Sequence, residues 1–316
     1  MFSELQRHAL NGETMGTRYS AVFFAPAGID LAAIGAALFA AVDGVDRQMS
    51  TWKPDSDLSR LNAAPANQWC AAPPELLAVL DAGVRVGIAS HGAFDMGVGS
   101  LVNAWGFGPT GQQPNAQQIR ALGQQAHRPA HEVLEIDLPQ QRVRKQSPLT
   151  LDLSGIAKGY GVDAMADTLD RLGITRYLVG IDGEMRAKGS KPDDQAWAVA
   201  IEKPVRHVRE VMGVMALADA AIATSGDYRH WVEVGGLNFA HTMDPRSGRP
   251  VDNHLASVSV VMPTCMWADA WATALLVMGA KTATEMAQKK GMTALLVVRE
   301  GDAFEEISLI DGQLQA

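Results

Sequence analysis

The chain has 316 residues and 47% apolar content, enough for one large domain or two closely packed lobes around a substantial core. A net charge of −8, with Lys and Arg scattered rather than gathered into a stripe, argues against a duplex nucleic-acid binder. No run approaches the roughly 18 to 20 apolar residues of a membrane span, and Cys70 and Cys265 form neither a CxxC nor a Cys/His cluster, so both read as small buried apolar residues.

Residues 1–14 lack a basic segment followed by an apolar one and are taken as an extension ahead of a domain over 15–316. That pattern leaves two locations open, the cytoplasm or, for a mature chain without its signal, the periplasm. Residues 15–25 are expected to be a strand ended by Pro26 and Gly28, and Asp30 to cap a helix running to about Gln48. The polar stretch 49–62 is a loop entering a short helical turn. A helix follows over 74–90, then a glycine-punctuated loop unusually rich in large apolar residues, either folded into the core or holding an apolar ligand.

Residues 111–129 are Gln-rich and polar, with one short helix, and 133–136 and 142–145 make a hairpin. Leu151 and Asp152 are read as a strand that ends at an acid and turns through Ser154 and Gly155 into a helix over 156–172. Strands are predicted at 177–181, 197–201 and 211–217, and the segment 221–230 ends a strand in a polar turn. The pair 231–234 and 238–242 forms a hairpin over Gly235 and Gly236. A stiff loop at 243–250, a strand at 257–262, a helix at 267–278 and strands at 293–298 and 304–310 complete the chain. Hairpins outnumber β-α-β units, so the class is α+β, or mixed α/β, with two lobes around a cleft.

Two distant segments carry the chemistry. In LDLSGIAKGYG, a glycine turn leads into a helix whose first turn holds Lys158; free N–H groups, the helix dipole and the ammonium suit phosphate. In ADAWATALL, Asp269 and Thr273 lie one turn apart on an otherwise apolar helix and suit a hard cation such as magnesium. Each has a plainer explanation: an N-cap at the turn, and a dipole-stabilising acid in the first turn of a helix. His241, at a strand end before a rigid loop, fits a general base, whereas Asp244 before Pro245 organises a turn. Trp52, in a polar loop, is hard to bury and could stack on a flavin or adenine, and Phe94 and the Trp105–Phe107 cluster are further loop aromatics.

Taken in order, Met15-Gly16-Thr17, MSTWKPDSDLSRLN, GAFDMGVGSLVNAWGFGP, LDLSGIAKGYGVD, AIATSGDYRHW, HTMDPRSGRP and ADAWATALLVMG resemble the ApbE family of FAD:protein FMN transferases across about residues 15–280. The resemblance implies an ApbE-like, T-fold-related catalytic domain with FAD in the cleft between its lobes. It also implies magnesium-dependent transfer of FMN from FAD to a threonine of an acceptor flavoprotein, such as a subunit of a membrane redox complex, with release of AMP. By the same resemblance Met15, Trp52, Ala93, Phe94, Asp95, Asp152, Lys158 and Met243 line the FAD site. Asp269, Thr273 and the Gly155 carbonyl hold magnesium, and His241 activates the threonine. Asp182 and Ser154 stand where that family usually has glycine, and HTMD replaces its usual His-Ile-Ile-Asp. A magnesium-dependent FAD diphosphatase and a non-catalytic flavin binder are the alternatives.

Overall fold

The N-terminal hairpin sets one edge of the main sheet. Strand Leu5–Thr14 pairs antiparallel with Thr17–Pro26 through Met15 and Gly16, whose φ values of 48° and 72° give the tight turn that follows the strand twist. Residues 5–14 are thus the edge strand of the sheet, and Met15 sits in a turn rather than a strand. The sequence of this strand shows little alternation because most of it faces water.

The computed structural model describes residues 5–109, 113–124, 127–229, 231–234, 237–301 and 303–315. Among them, nine strands form one antiparallel sheet in the order Leu5–Thr14, Thr17–Pro26, Tyr177–Ile181, Glu184–Lys188, Ala221–Gly226, Leu255–Met262, Thr293–Glu300, Ala303–Ile310 and Gln313–Leu314. The first four strands meet the last five at a short seam of two residue pairs, Ala221 with Arg186 and Ile222 with Met185. The two expected lobes are the two halves of this single, open sheet.

Helices cover one face. Leu31–Met49 and Ala157–Arg171 bury Leu38, Val42, Met165 and Leu169 against Phe23, Tyr177 and Val179 of the first half. Pro74–Ala89, Cys265–Met278 and Ala280–Lys290 bury Leu76, Leu80 and Leu275 against Val258, Val260 and Leu296 of the second. The opposite face is covered by a hairpin, Trp197–Glu202 with Val211–Leu217, which seats Trp197, Val199, Ile201 and Leu217 on Ala187 and Ile222. No helix among the described residues is long and apolar enough to cross a membrane.

Most predicted elements appear within two or three residues of their expected ends, and Asp30 caps its helix by accepting from the Ala33 N–H at 3.0 Å. The apolar loop after residue 90 folds into the core, with Phe94, Met96 and Trp105 buried and a short helix at Gly99–Ala104. Cys265 is buried as expected, but Cys70 is only half-buried in a two-residue strand. The turn over Gly235 and Gly236 and the end of the polar turn at His230 lie outside the described residues.

Three elements depart from expectation. Leu151 and Asp152 form no strand: the Asn62 side-chain amide bonds both backbone groups of Leu151, at 2.8 and 2.9 Å, and the Asp152 N–H donates to the Met96 carbonyl at 2.8 Å. A side chain thus replaces the neighbouring strand and leaves the segment extended without a ladder. The strand Glu184–Lys188 was not anticipated because its alternation is inverted. Glu184, Arg186 and Lys188 point inward and pair with Lys158, Asp163 and Asp170 of the facing helix. The helix Ala280–Lys290 was also missed.

Candidate functional site

The helices Ala157–Arg171 and Cys265–Met278 cross at a contact only glycine allows. A Cβ on Gly159 would lie 2.4 Å from the Cys265 carbonyl oxygen and 2.8 Å from the Asp269 Cβ. At this crossing the Gly159 N–H donates to Asp269 Oδ2 at 2.9 Å, so the lysine turn and the acid helix meet directly. Asp163 locks the register. Its carboxylate accepts from the N–H groups of Cys265 and Met266, both at 2.9 Å, and from Arg186 at 2.8 Å. The start of the second helix is therefore capped by the first helix.

Asp269 lies five residues into its helix, beyond the first turn, and is 3% exposed. The plainer explanation of a dipole-stabilising first-turn acid does not apply, since Asp163 fills that role. Burial, reinforced by the negative charge of Glu184, holds the Asp269 carboxyl well above the usual carboxylate range despite the nearby Lys158 and the Gly159 N–H. One turn later, Thr273 Oγ1 exchanges a hydrogen bond with Ser225 Oγ at 3.1 Å. It also lies 3.0 Å from where a Cβ on Gly155 would be, and Phe94 lies 3.4 Å from the same point. Glycine at 155 leaves the backbone of the phosphate turn open against Thr273.

Lys158 faces three acids. Its Nζ lies 2.6 Å from Glu184 Oε1 and 3.5 Å from Asp182 Oδ2. Burial would lower its ammonium, but Glu184, Asp269 and Asp182 outweigh burial and hold it above the ordinary lysine value. Asp182 has a φ of 51° in the turn before Glu184, a left-handed position that glycine usually fills and Asp tolerates. Arg229 donates to the Asp182 carbonyl at 2.9 Å and to Glu202 at 2.6 Å.

The remaining predicted residues fall into two groups. Met15 packs its thioether against Gly161 of the lysine helix, with Cε 3.1 Å from the Cβ position there. Asp152 accepts the Ser154 N–H at 2.8 Å and so shapes the turn that precedes Gly155; burial raises its carboxyl. Ala93 and Phe94 are buried, and Asp95 turns inward to accept from the Gly97 and Ala130 N–H groups and to meet His127. Trp52 is 63% exposed, in a loop tied to the site through Asn62 and Leu151. In the second group, Met243 packs with Leu101 and Trp105, and the His241 ring meets Phe107 edge-on at 6.3 Å. The helix Gly99–Ala104 joins the two groups, since the Gly99 N–H donates to the Thr150 carbonyl. Asp244 organises its turn by accepting from the Arg246 N–H at 3.0 Å and from its guanidinium.

The sequence reading missed Asn62, Asp163, Asp182, Glu184 and Arg229. One signal could have found the partners of Lys158 and Asp163: a helix with Lys158, Asp163 and Asp170 followed by a strand with Glu184, Arg186 and Lys188 is a complementary charge pattern at helical and strand spacing.

The residues fit a hard divalent cation. A buried carboxylate, a threonine hydroxyl and a glycine backbone held open beside it converge, and all are oxygen donors. Beside them stands an ammonium suited to a phosphate oxygen.

A statistical model of the ApbE family matches residues 15–296. The FAD:protein FMN transferase of Vibrio cholerae is 38% identical over 299 residues, covering 94% of this chain and 89% of that protein. The Escherichia coli protein of the same name is 35% identical over 94% of this chain and 85% of its own. Among solved structures, the flavin transferase ApbE from Vibrio cholerae superposes with a TM-score of 0.86 at 37% identity, covering 96% of this chain and 97% of that one. The apo flavinyl transferase ApbE of Pseudomonas stutzeri gives 0.86 at 35% identity, covering 99% and 97%. On this likeness over most of its length, the chain belongs to the ApbE family.

Proposed function

We propose that this protein transfers FMN from FAD to a threonine hydroxyl of an acceptor flavoprotein and releases AMP. The observation that carries the reading is the meeting of Lys158, Gly155, Asp269 and Thr273 at one helix crossing. Relatives at 35% to 38% identity bear the name FAD:protein FMN transferase.

In this reading the diphosphate of FAD lies over the Gly155 turn, with Lys158 on a phosphate oxygen. Met15, Trp52, Ala93, Phe94, Asp95, Asp152 and Met243 border the flavin and adenosine, Trp52 by stacking from its exposed loop. Asp269, Thr273 and the Gly155 carbonyl hold magnesium, which supplies neutralisation of the charge that builds on the diphosphate. The threonine oxygen attacks the FMN-side phosphorus, and the bond from that phosphorus to the bridging oxygen breaks. AMP departs with the oxygen, and the hydroxyl proton passes to His241. Lys158 is held ready for this by Glu184 and Asp182, which take two of its three N–H donors and leave the third for a phosphate oxygen. The reading puts the protein in the periplasm, with the cytoplasm as the alternative, and cell fractionation decides between them.

The test is to incubate the protein with FAD, magnesium and an extract of its own cells, then search by mass spectrometry for a threonine carrying FMN. AMP and FMN released at full rate without any acceptor, and no modified threonine, would overturn the transferase reading in favour of a diphosphatase.

A further inference from the structure

The hairpin Trp197–Glu202 with Val211–Leu217 is apolar on both faces. One face is seated on the sheet through Trp197, Val199, Ile201 and Leu217. The other shows Val211 and Val214, 60% and 68% exposed, and the connecting loop adds Val208 at 46%. A sheet layer that only covers a core presents polar residues to water on its outer side. Here the outer side is apolar, and neither strand pairs with a further strand among the described residues, so its edges offer backbone donors and acceptors.

The position of this hairpin ties it to both halves of the candidate site. At its loop end, Glu202 accepts from Arg229 at 2.6 Å, Arg229 donates to the Asp182 carbonyl, and Asp182 lies 3.5 Å from the Lys158 ammonium. At its tip, the His207 ring meets the Trp231 ring edge-on at 5.9 Å, and the Arg206 guanidinium lies 5.5 Å over the same ring. Trp231 pairs with Ala240, the residue before His241. The loop end of the hairpin therefore touches Arg229, which leads to the Lys158 cluster, and Trp231, whose partner strand Leu237–Ala240 leads to His241. Its loop carries Lys203, Arg206 and Arg209 against the single acid Glu210, in a chain of net charge −8; Lys203 pairs with Glu210 at 3.5 Å, and Arg209 reaches Glu202 at 3.9 Å while its side chain stays 89% exposed.

We infer that this hairpin face is the docking surface for the acceptor protein, which meets Val208, Val211 and Val214 with apolar side chains or a strand edge and meets Arg206 and Arg209 with acidic residues. The inference rests on the proposed transfer to a protein hydroxyl, because that reaction requires a protein surface beside His241 and the diphosphate. A partner seated here delivers its threonine past Trp231 toward the site, with its charge matched to the loop.

The test uses the acceptor identified by its gain of FMN mass, both as the whole folded protein and as a short peptide around the modified threonine. Val214→Glu and Arg209→Glu are made separately, and thermal unfolding checks that each folds. The expected result is a rise of about tenfold or more in KM for the whole acceptor. The kcat at saturating acceptor, the rate with the peptide and FAD binding followed by flavin fluorescence stay unchanged. An unchanged KM in both folded variants overturns the surface while the transferase reading stands. A dimer seen by sedimentation that dissociates in the variants, with acceptor KM unchanged, assigns the face to a second copy and overturns it as well. Absence of transfer by the unaltered protein overturns the proposed function and, with it, this inference.

Discussion

Asp269 sits in a place that disfavours its charge. Its folded carboxyl titrates above the ordinary range because of burial and the neighbouring Glu184. The folded chain therefore holds a proton that the unfolded chain has lost across the pH window from the ordinary carboxylate value up to the raised one, and this group makes stability fall as pH rises through that window. Asp269→Asn keeps an acceptor for the Gly159 N–H and removes the charge. In EDTA at pH 8 it should melt about 2 °C or more above the unaltered protein, with the difference shrinking toward pH 4, as thermal unfolding across pH would show. The same variant should lose FMN transfer, so stability and activity move in opposite directions. Gly159→Ala tests the crossing itself: its Cβ would press on the Cys265 carbonyl and on Asp269. A loss of about 1–3 kcal/mol in denaturant unfolding is expected, with weaker magnesium binding by calorimetry.

At the level of elements, the two helices and the strand Glu184–Lys188 act as one clamp. Asp163 caps Cys265–Met278 while held by Arg186, so Asp163→Ala removes a cap and leaves Arg186 short of its partner. A loss of about 3 kcal/mol in urea unfolding is expected. The clamp also explains what the sequence could and could not disclose. Lys158, Asp269 and Thr273 were legible because each breaks a local pattern: a cation in the first turn after glycine, or a polar pair on an apolar helix. Asn62 was not, because an asparagine at the end of a short helix carries no sign that its amide will stand in for a strand 89 residues away. Glu184 was hidden for a different reason. Its strand turns charge inward, and apolar alternation, the usual mark of a strand, cannot reveal one whose partner is a charged helix face. Asn62→Ala should free the 151–155 turn and raise KM for FAD severalfold, with a stability loss of about 1–2 kcal/mol by denaturant titration.

At the scale of the molecule, the ladder between the sheet halves consists, among the described residues, of the pairs Ala221–Arg186 and Ile222–Met185, so most of their union comes from the helices above. Lys158 pairs with Glu184 of the first half, while Thr273 bonds Ser225 of the second and the helix it shares with Asp269 packs on the second-half strands. A ligand that engages all three stitches the halves together. FAD with magnesium should raise the melting temperature by more than the sum of the shifts from FAD alone and magnesium alone, as differential scanning calorimetry can show. The order of elements and the mixed class were readable from turn residues and periodicity. The seam was not, because nothing local marks which strands of separate hairpins will touch. The short seam also bears on the life of the chain before folding is complete. A molecule with only one half formed holds either the ammonium or the carboxylate and hydroxyl in place, never both, and so is chemically silent toward a diphosphate. Closing the seam is what brings the ammonium to the carboxylate and the hydroxyl.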